Sequence, residues 1–415
     1  MRVLVIGSGG REHALCWKLG QEAEVLCAPG NAGIAETCDV EKVAPEDSAA
    51  VVELAKRSEV DLVVIGPEGP LIAGLADELR SAGIAAFGPG RDGAVLEGSK
   101  AFSKRMMIEA GVPTAEYGDF TDVDDAIAFA AKMFDRGKSV AVKASGAALG
   151  KGVAICHTLE EARAALQATM VDRVFGAAGE TVVVEECLYG KEFSLLTLVS
   201  GDSSWSLPVA QDYKRAFNGD RGPNTGGMGA YSPVEWLSNG LLHETEERVV
   251  APMLAAMKKR GIDFRGVLYS GLMVSDGKPF CLEYNVRFGD PETQTILRRL
   301  GSGFAEALRA VAAGEPVPEV EVLPEAAITV VMASEGYPGK YPKGKKLLVP
   351  SELPGEVVVF HAGTSLLMHD VVTSGGRVLG VSATGGDIES ARATAYRAVE
   401  DIQFAGRQYR TDIGA

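Results

Sequence analysis

The sequence predicts an α/β and α+β multidomain protein that opens with a parallel α/β sheet. Three observations carry this prediction. At roughly 150 residues per domain, 415 residues make two to four domains. Over residues 1–100, short apolar runs alternate with helical stretches, the pattern of an open parallel sheet covered by helices on both faces. The 50 glycines cluster in short motifs without a fixed period, which points to tight turns and backbone open to ligand.

In the first region, residues 1–100, strands are expected at 3–6, 25–28, 61–65 and 85–87, with helices at 12–19, 48–58 and 71–81. Ligands of such sheets sit beyond the carboxyl ends of the strands. Those ends carry Gly7-Ser8-Gly9-Gly10, Pro29-Gly30-Asn31 and Gly66-Pro67-Glu68. A second region, 101–323, opens with a helix over 99–110 stopped by Gly111-Val112-Pro113. Strands at 140–143 and 182–185 bracket a smaller α/β unit, about 120–190, with a glycine-rich loop. Runs at 193–199, 266–274 and 280–288 then suit a larger antiparallel sheet. In a third region, 324–415, residues 371–379 have the form of a hairpin turning near Gly375-Gly376. Ile388, Ala395, Val399 and Ile402 trace one face of a final helix.

Composition narrows the function. Hydrophobic residues at 46% and charged residues at 23% exclude disordered, coiled-coil and collagen-like chains. A net charge of −15 is repelled by nucleic-acid phosphates and anionic lipid, so neither nucleic acid nor membrane is an expected partner. Any anionic substrate must meet a local positive pocket. No apolar run approaches the ~20 residues of a membrane span, and the N-terminus lacks a secretory h-region. The six cysteines form no C-x-x-C pair, which favours reduced thiols in a cytoplasmic protein over a disulfide framework or zinc site.

Five motifs can carry chemistry. Gly7-Ser8-Gly9-Gly10-Arg11-Glu12 invites a dinucleotide reading. However, Glu12 stands where the third glycine belongs, and no ribose-binding acid ends the second strand. A single phosphate cradle or an unliganded turn remain. In Lys143-Ala-Ser-Gly146-Ala-Ala-Leu-Gly150-Lys151-Gly152, two lysines and three glycines suit a polyphosphate without forming a P-loop; a surface loop is the alternative. In Val182-Val-Val-Glu185-Glu186-Cys187-Leu188-Tyr189-Gly190-Lys191-Glu192, a strand runs into carboxylates that suit a nucleoside, or simply a solvated strand end. In Glu283-Tyr284-Asn285-Val286-Arg287-Phe288, alternation puts a carboxylate, an amide and a guanidinium on one strand face, suited to Mg²⁺ beside phosphate. Asp290-Pro291-Glu292 then reads as an N-cap opening a helix, with a structural Asp290 preferred to a catalytic acid. Finally, Asp212-Tyr213-Lys214-Arg215 precedes a glycine-rich flap over 218–231 that contains Asn224-Thr225-Gly226-Gly227. It suits a small zwitterion or phosphate, or is a plain omega loop. The five histidines show no metal or triad spacing, and no G-x-S-x-G elbow occurs.

These motifs, in this order, resemble the glycinamide ribonucleotide synthetase family of the ATP-grasp superfamily. Gly7-Ser-Gly-Gly-Arg-Glu-His13, Pro29-Gly-Asn-Ala-Gly33, Leu96-Glu-Gly-Ser-Lys-Ala-Phe102, Gly222-Pro-Asn-Thr-Gly-Gly-Met-Gly-Ala-Tyr231, Asn285-Val-Arg-Phe-Gly-Asp-Pro-Glu292 and Phe360-His-Ala-Gly-Thr364 all match, over essentially the whole chain. The resemblance implies a central ATP-grasp fold with a small lid subdomain and a small C-terminal α+β domain. It implies the ligation of glycine to 5-phosphoribosylamine with ATP, through a glycyl phosphate, in de novo purine synthesis. By matching motif, Lys104, Lys143, Lys151, Glu185, Glu186, Leu188 and Glu192 would bind ATP. Glu283 and Asn285 would hold Mg²⁺, with Mn²⁺ the alternative ion, and Arg287 would hold phosphates. Gly9, Gly10, Asn31, Pro67, Glu68, Asn224 and Thr225 would line the substrate side. Asp212, Lys214 and Arg215 would lie by the glycine and acyl phosphate. A monomer or weak homodimer is expected.

Three departures stand out. Ser145 replaces the family's usual acid, Tyr213 replaces its common histidine, and Gly271-Leu-Met-Val-Ser275 offers no acidic metal ligand. The rival readings are another ATP-grasp ligase or biotin-dependent carboxylase, against which the glycine-rich flap argues, and a regulator without catalysis, against which the intact lysines and the Glu283 row argue.

Overall fold

A run of apolar residues without polar alternation needs cover on both faces. β1 (Arg2–Gly7) finds it at the centre of a parallel sheet, with Val3, Leu4, Val5 and Ile6 all fully buried. The computed structural model describes residues 1–146 and 152–415. After β1 come α1 (Gly10–Leu19), β2 (Glu24–Pro29), β3 (Asp39–Val40), α2 (Ser48–Arg57), β4 (Leu62–Ile65), α3 (Glu68–Ala73), α4 (Leu75–Ser81) and β5 (Ala86–Phe87). The sheet order is β3-β2-β1-β4-β5, and every pairing is parallel. Two details differ from the sequence pattern. β3 is a two-residue edge strand, too short to show a period. The single helix expected over 71–81 is two, because Gly74 takes a left-handed conformation (φ +98°) that ends α3 and starts α4.

α5 (Arg91–Gly98), which the pattern did not show, leads into α6 (Lys100–Ala110), whose cap Ser99 accepts the Phe102 N–H at 3.2 Å. The smaller unit follows: β6 (Tyr117–Phe120), α7 (Val123–Asp135), β7 (Val140–Ala144), β8 (Val153–Cys156), α8 (Leu159–Leu166) and β9 (Val182–Glu186). Its four strands pair antiparallel in the order β6-β9-β7-β8 over their own core of Ala130, Met133, Val142, Leu166 and Val184.

The larger middle sheet takes β10 (Lys191–Ser200) and β11 (Ser203–Ser206). The chain then passes through β12 (Gln211–Asp212), β13 (Arg215–Phe217), β14 (Arg221–Asn224), β15 (Gly229–Ser232), α9 (Asn239–Thr245) and α10 (Ala251–Lys259). It returns in β16 (Arg265–Ser275) and β17 (Lys278–Asn285), giving the antiparallel order β11-β10-β16-β17. The strand expected over 280–288 therefore ends at Asn285.

α11 (Glu292–Ile296) and α12 (Phe304–Ala313) lead to β18 (Ala326–Ser334), β19 (Val357–His361), β20 (Thr364–Leu367), β21 (Asp370–Thr373), β22 (Arg377–Gly385), α13 (Ile388–Asp401) and β23 (Arg407–Gln408). The expected hairpin over 371–379 is not one. β21 pairs with β20, whereas β22 lies between β18 and β19 in another sheet. The Gly375-Gly376 pair is instead a crossing point, where Gly375 packs against Gly363 backbone with no room for a Cβ. The last sheet runs β12-β15-β18-β22-β19, so two short strands from the middle of the chain complete it. α13 buries Ala391, Ala395, Ala398 and Val399, and Ile402 closes the same face, as expected; Ile388 is half-buried. No helix among the described residues is long and apolar enough to cross a membrane, and all six cysteines are free.

Candidate active site

The central row of the site is made by a defect in a strand. β17 pairs Gly271 with Glu283 but Leu272 with Cys281, so Leu282 is an extra residue opposite nothing. A bulge of this kind re-aims the side chains beyond it. Tyr284, Val286 and Phe288 go into the core, while Glu283, Asn285 and Arg287 line one cavity of about 1190 Å³. The expected face is therefore present beyond Leu282, which itself lines the cavity. Burial pushes the Glu283 carboxyl up, but Lys214, Lys143, Lys100 and Arg287 together outweigh it and hold it below the usual range. Arg287 Nη2 lies 3.0 Å from Glu97, 3.4 Å from Asn285 Oδ1, and Nε lies 3.7 Å from Glu68.

Two lysines converge from different elements on one carboxylate. Lys104 of α6 sits 2.6 Å from Glu185 Oε2, and Lys143 of β7 pairs with Glu185 Oε1. All three side chains are buried, leaving two cations on one anion. Burial pushes Lys104 down. Burial also opposes the charge on Lys143, yet Glu185 and Glu283 hold it above its ordinary value, while both lysines keep Glu185 ionised. The surplus positive charge in a low-dielectric pocket is the local attractor that an acidic chain needs for an anion. Glu186 pairs with Lys138 at 2.8 Å, and both Glu186 and Leu188 line the cavity. At Gly190 any Cβ would collide with the Val274 carbonyl, which lets the strand connection hug β16. Lys151 lies outside the described residues.

A third charged group faces these lysines. Lys214 Nζ is 2.6 Å from Glu192 Oε2, and Asp212 stands beside it with its Oδ1 buried and unpartnered among the described residues. Burial pushes Asp212 up to about 7, against Lys214 and with Glu292 and Glu192 adding to the rise. Arg215 donates to the Gly222 carbonyl at 2.8 Å, which closes the β13–β14 hairpin, and Asn224 lies across from it in register. Thr225 Oγ1 donates to the Lys214 carbonyl at 2.8 Å and accepts from Gly227 N at 3.0 Å, so its hydroxyl shapes the flap.

The N-terminal loops meet this cavity from the other side. Glu68 lines it, but Gly9, Gly10, Asn31 and Pro67 do not. The Asn31 amide is fully committed to protein: it donates to Ser8 and His361 carbonyls at 2.8 Å and accepts from Gly33 and Ile34 N–H at 3.0 Å. Glu12 fills the turn a dinucleotide would need. Its carboxylate accepts from Gly9 N at 2.6 Å and pairs with Arg11 at 2.6 Å. The expected N-cap role of Asp290 is not met. Pro291 occupies the cap of α11 without a side-chain bond, because Asp290 is drawn to Gln294 Nε2 at 2.8 Å and to Arg377 of β22 at 3.3 Å.

Sequence pattern missed Arg11, Glu97, Lys100, Tyr269, Glu292 and Arg377 as cavity-lining side chains. Arg11, Glu97, Lys100 and Glu292 lie inside the sequence motifs, so their types were visible. Tyr269 and Glu292 form a buried pair, hydroxyl to carboxylate at 2.8 Å, that only the packing of β16 on α11 creates. Among the described residues no group of three or more His, Cys, Asp or Glu gathers to hold a metal. Glu283 and Asn285 offer two hard oxygen donors, which suits an ion that keeps waters and substrate phosphates in its shell.

Family models for phosphoribosylglycinamide synthetase match the chain in three pieces: the N domain over residues 1–97, the ATP-grasp (A) domain over 98–293 and the C domain over 327–415. A phosphoribosylamine–glycine ligase of Rhodopirellula baltica is 45% identical over 99% of this chain and 96% of its own length. The crystal structure of a phosphoribosylamine–glycine ligase from Thermotoga maritima superposes with a TM-score of 0.88 at 36% identity, covering 100% of both chains. A biotin carboxylase from Campylobacter jejuni, 16% identical with a TM-score of 0.74 over 100% of this chain and 94% of that one, shares the fold.

Proposed function

The chain belongs to the phosphoribosylglycinamide synthetase family, and we propose that its cleft first activates glycine as an acyl phosphate and then lets phosphoribosylamine attack it. It is an ATP-dependent ligase of purine biosynthesis that joins glycine to phosphoribosylamine. The observation that carries the stepwise reading is the convergence of three charged groups on one cavity: the Lys104–Glu185–Lys143 triad, the Glu283–Asn285–Arg287 row, and Asp212 with Lys214.

In this reading the ATP phosphates lie along Lys104, Lys143 and Arg287, and the nucleoside lies against Glu185, Glu186, Leu188 and Glu192. Glu283 and Asn285 hold Mg²⁺, which when bound neutralises phosphate charge. The glycine carboxylate oxygen attacks the γ-phosphorus and ADP leaves. The amine nitrogen of phosphoribosylamine then attacks the acyl carbon, inorganic phosphate leaves, and the nitrogen gives up a proton. No side-chain nucleophile is needed; positioning and fixed charge supply the rate. Lys214 and Arg215 hold the acyl phosphate, and Asp212 faces the glycine ammonium. Glu68 lines the phosphoribosylamine end, and Gly9, Gly10, Asn31 and Pro67 support it from the loops behind the cavity wall, with Asn224 and Thr225 in the flap. Six free cysteines support a cytoplasmic setting, and we take the protein as a monomer or weak homodimer.

The test mixes protein, Mg·ATP, glycine and phosphoribosylamine generated in situ, and follows phosphate. Release should require both co-substrates. With glycine labelled at a carboxylate ¹⁸O, the label should reach inorganic phosphate; phosphate free of label overturns the acyl phosphate. Chelation should stop the reaction and added Mg²⁺ or Mn²⁺ restore it.

A further inference from the structure

Arginine is rarely buried without a partner for each end of its fork, yet Arg410 is only 1% exposed. It follows β23, where the chain crosses the β13–β14 hairpin. Nε and Nη2 each donate to an Asp412 carboxylate oxygen at 2.8 Å. Nη1 donates to the Arg215 carbonyl at 3.1 Å and to Asp220 Oδ1 at 3.3 Å. The guanidinium carbon lies 4.8 Å from the centre of the Tyr213 ring. Around it, Asn218 and Thr411 exchange two hydrogen bonds at 2.6 and 2.9 Å, Gly219 N donates to Asp412 at 2.8 Å, and Gly414 N donates to the Tyr213 hydroxyl at 3.0 Å.

Tyr213 sits between Asp212 and Lys214 in the sequence. Its hydroxyl and ring are held by the C-terminal segment, and it lines the cleft together with both neighbours. We propose that Arg410 is a positioning residue for the amino-acid substrate, fixing Tyr213 and the β13–β14 hairpin so that Asp212 and Lys214 meet glycine at the right place. This rests on the reading that those two side chains face glycine. A guanidinium is needed because one planar group must stack on a ring, chelate a carboxylate and reach a backbone carbonyl together, which an ammonium cannot do.

Arg410→Lys keeps the charge and loses the fork. It should raise the KM for glycine about tenfold while the KM for ATP, whose lysines lie on α6 and β7, stays within about twofold. KM values for all substrates rising together, or none rising, overturns the proposal. Should that variant fail to fold, Asn218→Ala at the exposed hairpin tip removes the bonds to Thr411 and should raise the glycine KM in the same direction; an unchanged glycine KM there overturns it. Asp212→Asn separates the two levels. If it leaves the glycine KM unchanged, the underlying reading fails. If it raises that KM while Arg410→Lys does not, only the role of Arg410 fails.

Discussion

The Glu97 carboxylate, at the end of α5, lies 3.0 Å from the Arg287 guanidinium, which stands just past β17. The two residues are 190 positions apart in the chain, and each would be costly to bury alone. Glu97 Oε2 also accepts the Val286 N–H at 2.8 Å, so the carboxylate fixes both the backbone and the fork of its partner. Burial, the largest influence on Glu97, pushes its carboxyl up despite Arg287.

Glu97→Gln keeps the bond to Val286 and removes the counter-charge. Turnover should fall by about ten- to a hundredfold, because the guanidinium is no longer held against the transferring phosphoryl group. Arg287→Lys should cost at least as much. Steady-state kinetics with thermal melting checks both; turnover near that of the parent protein contradicts the role given to Arg287.

Asp212 yields a pH prediction. With its carboxyl pushed up to about 7 by burial, the ionised form that would hold the glycine ammonium develops as pH rises through 7. The kcat/KM for glycine should rise over that interval, and Asp212→Asn should abolish the limb. The stability sign is the reverse. The folded state binds the proton more tightly than the unfolded state, so this group's contribution is full below about pH 4 and is lost as pH rises towards 7. Denaturant titrations of the parent protein and Asp212→Asn at pH 5 and 8 measure the difference.

Asp290 should behave as half of a part-buried ion pair. Removing an N-cap costs about 1 kcal/mol, whereas stranding Arg377 without its carboxylate costs more, towards the roughly 3–5 kcal/mol of a fully buried pair. Burial opposes ionisation of Asp290, but Arg377 and Arg11 hold its carboxyl below the usual range. Urea unfolding of Asp290→Ala decides between the two magnitudes, and a loss near 1 kcal/mol would restore the capping role.

His13 supplies an acid-sensitive tie between α1 and β19. Its Nδ1 accepts the His361 N–H at 2.8 Å, and burial, followed by the nearby His361, lowers it to about 3. The unfolded state therefore binds the extra proton between about pH 3 and 6.5, and stability should rise with pH across that window. His13→Asn offers an amide oxygen as acceptor without the titration and should flatten part of the slope. An identical slope in the variant would remove His13 as its source.

The sequence by itself determined the parts whose signal is local. The apolar run of β1, the Gly111 stop of α6, the buried face of α13 and the alternation beyond Leu282 each depend on neighbours within a few residues. The charged motifs were also legible, because carboxylate, amide and guanidinium at every second position have few other uses on a strand. Tertiary structure decided what long-range contact decides. Gly375-Gly376 looked like a hairpin turn, but the flanking strands found partners in two different sheets. Asp290 looked like a cap, but Arg377, 87 residues on, took its carboxylate. Arg410 carried no motif at all, and its link to Tyr213 exists only because β12 and β15 join the C-terminal sheet. The physical reason is of one kind: local propensity is worth about 1 kcal/mol, and it yields to long-range demands, strand pairing for the glycine pair and counter-ions for the desolvated charges of Asp290 and Arg410.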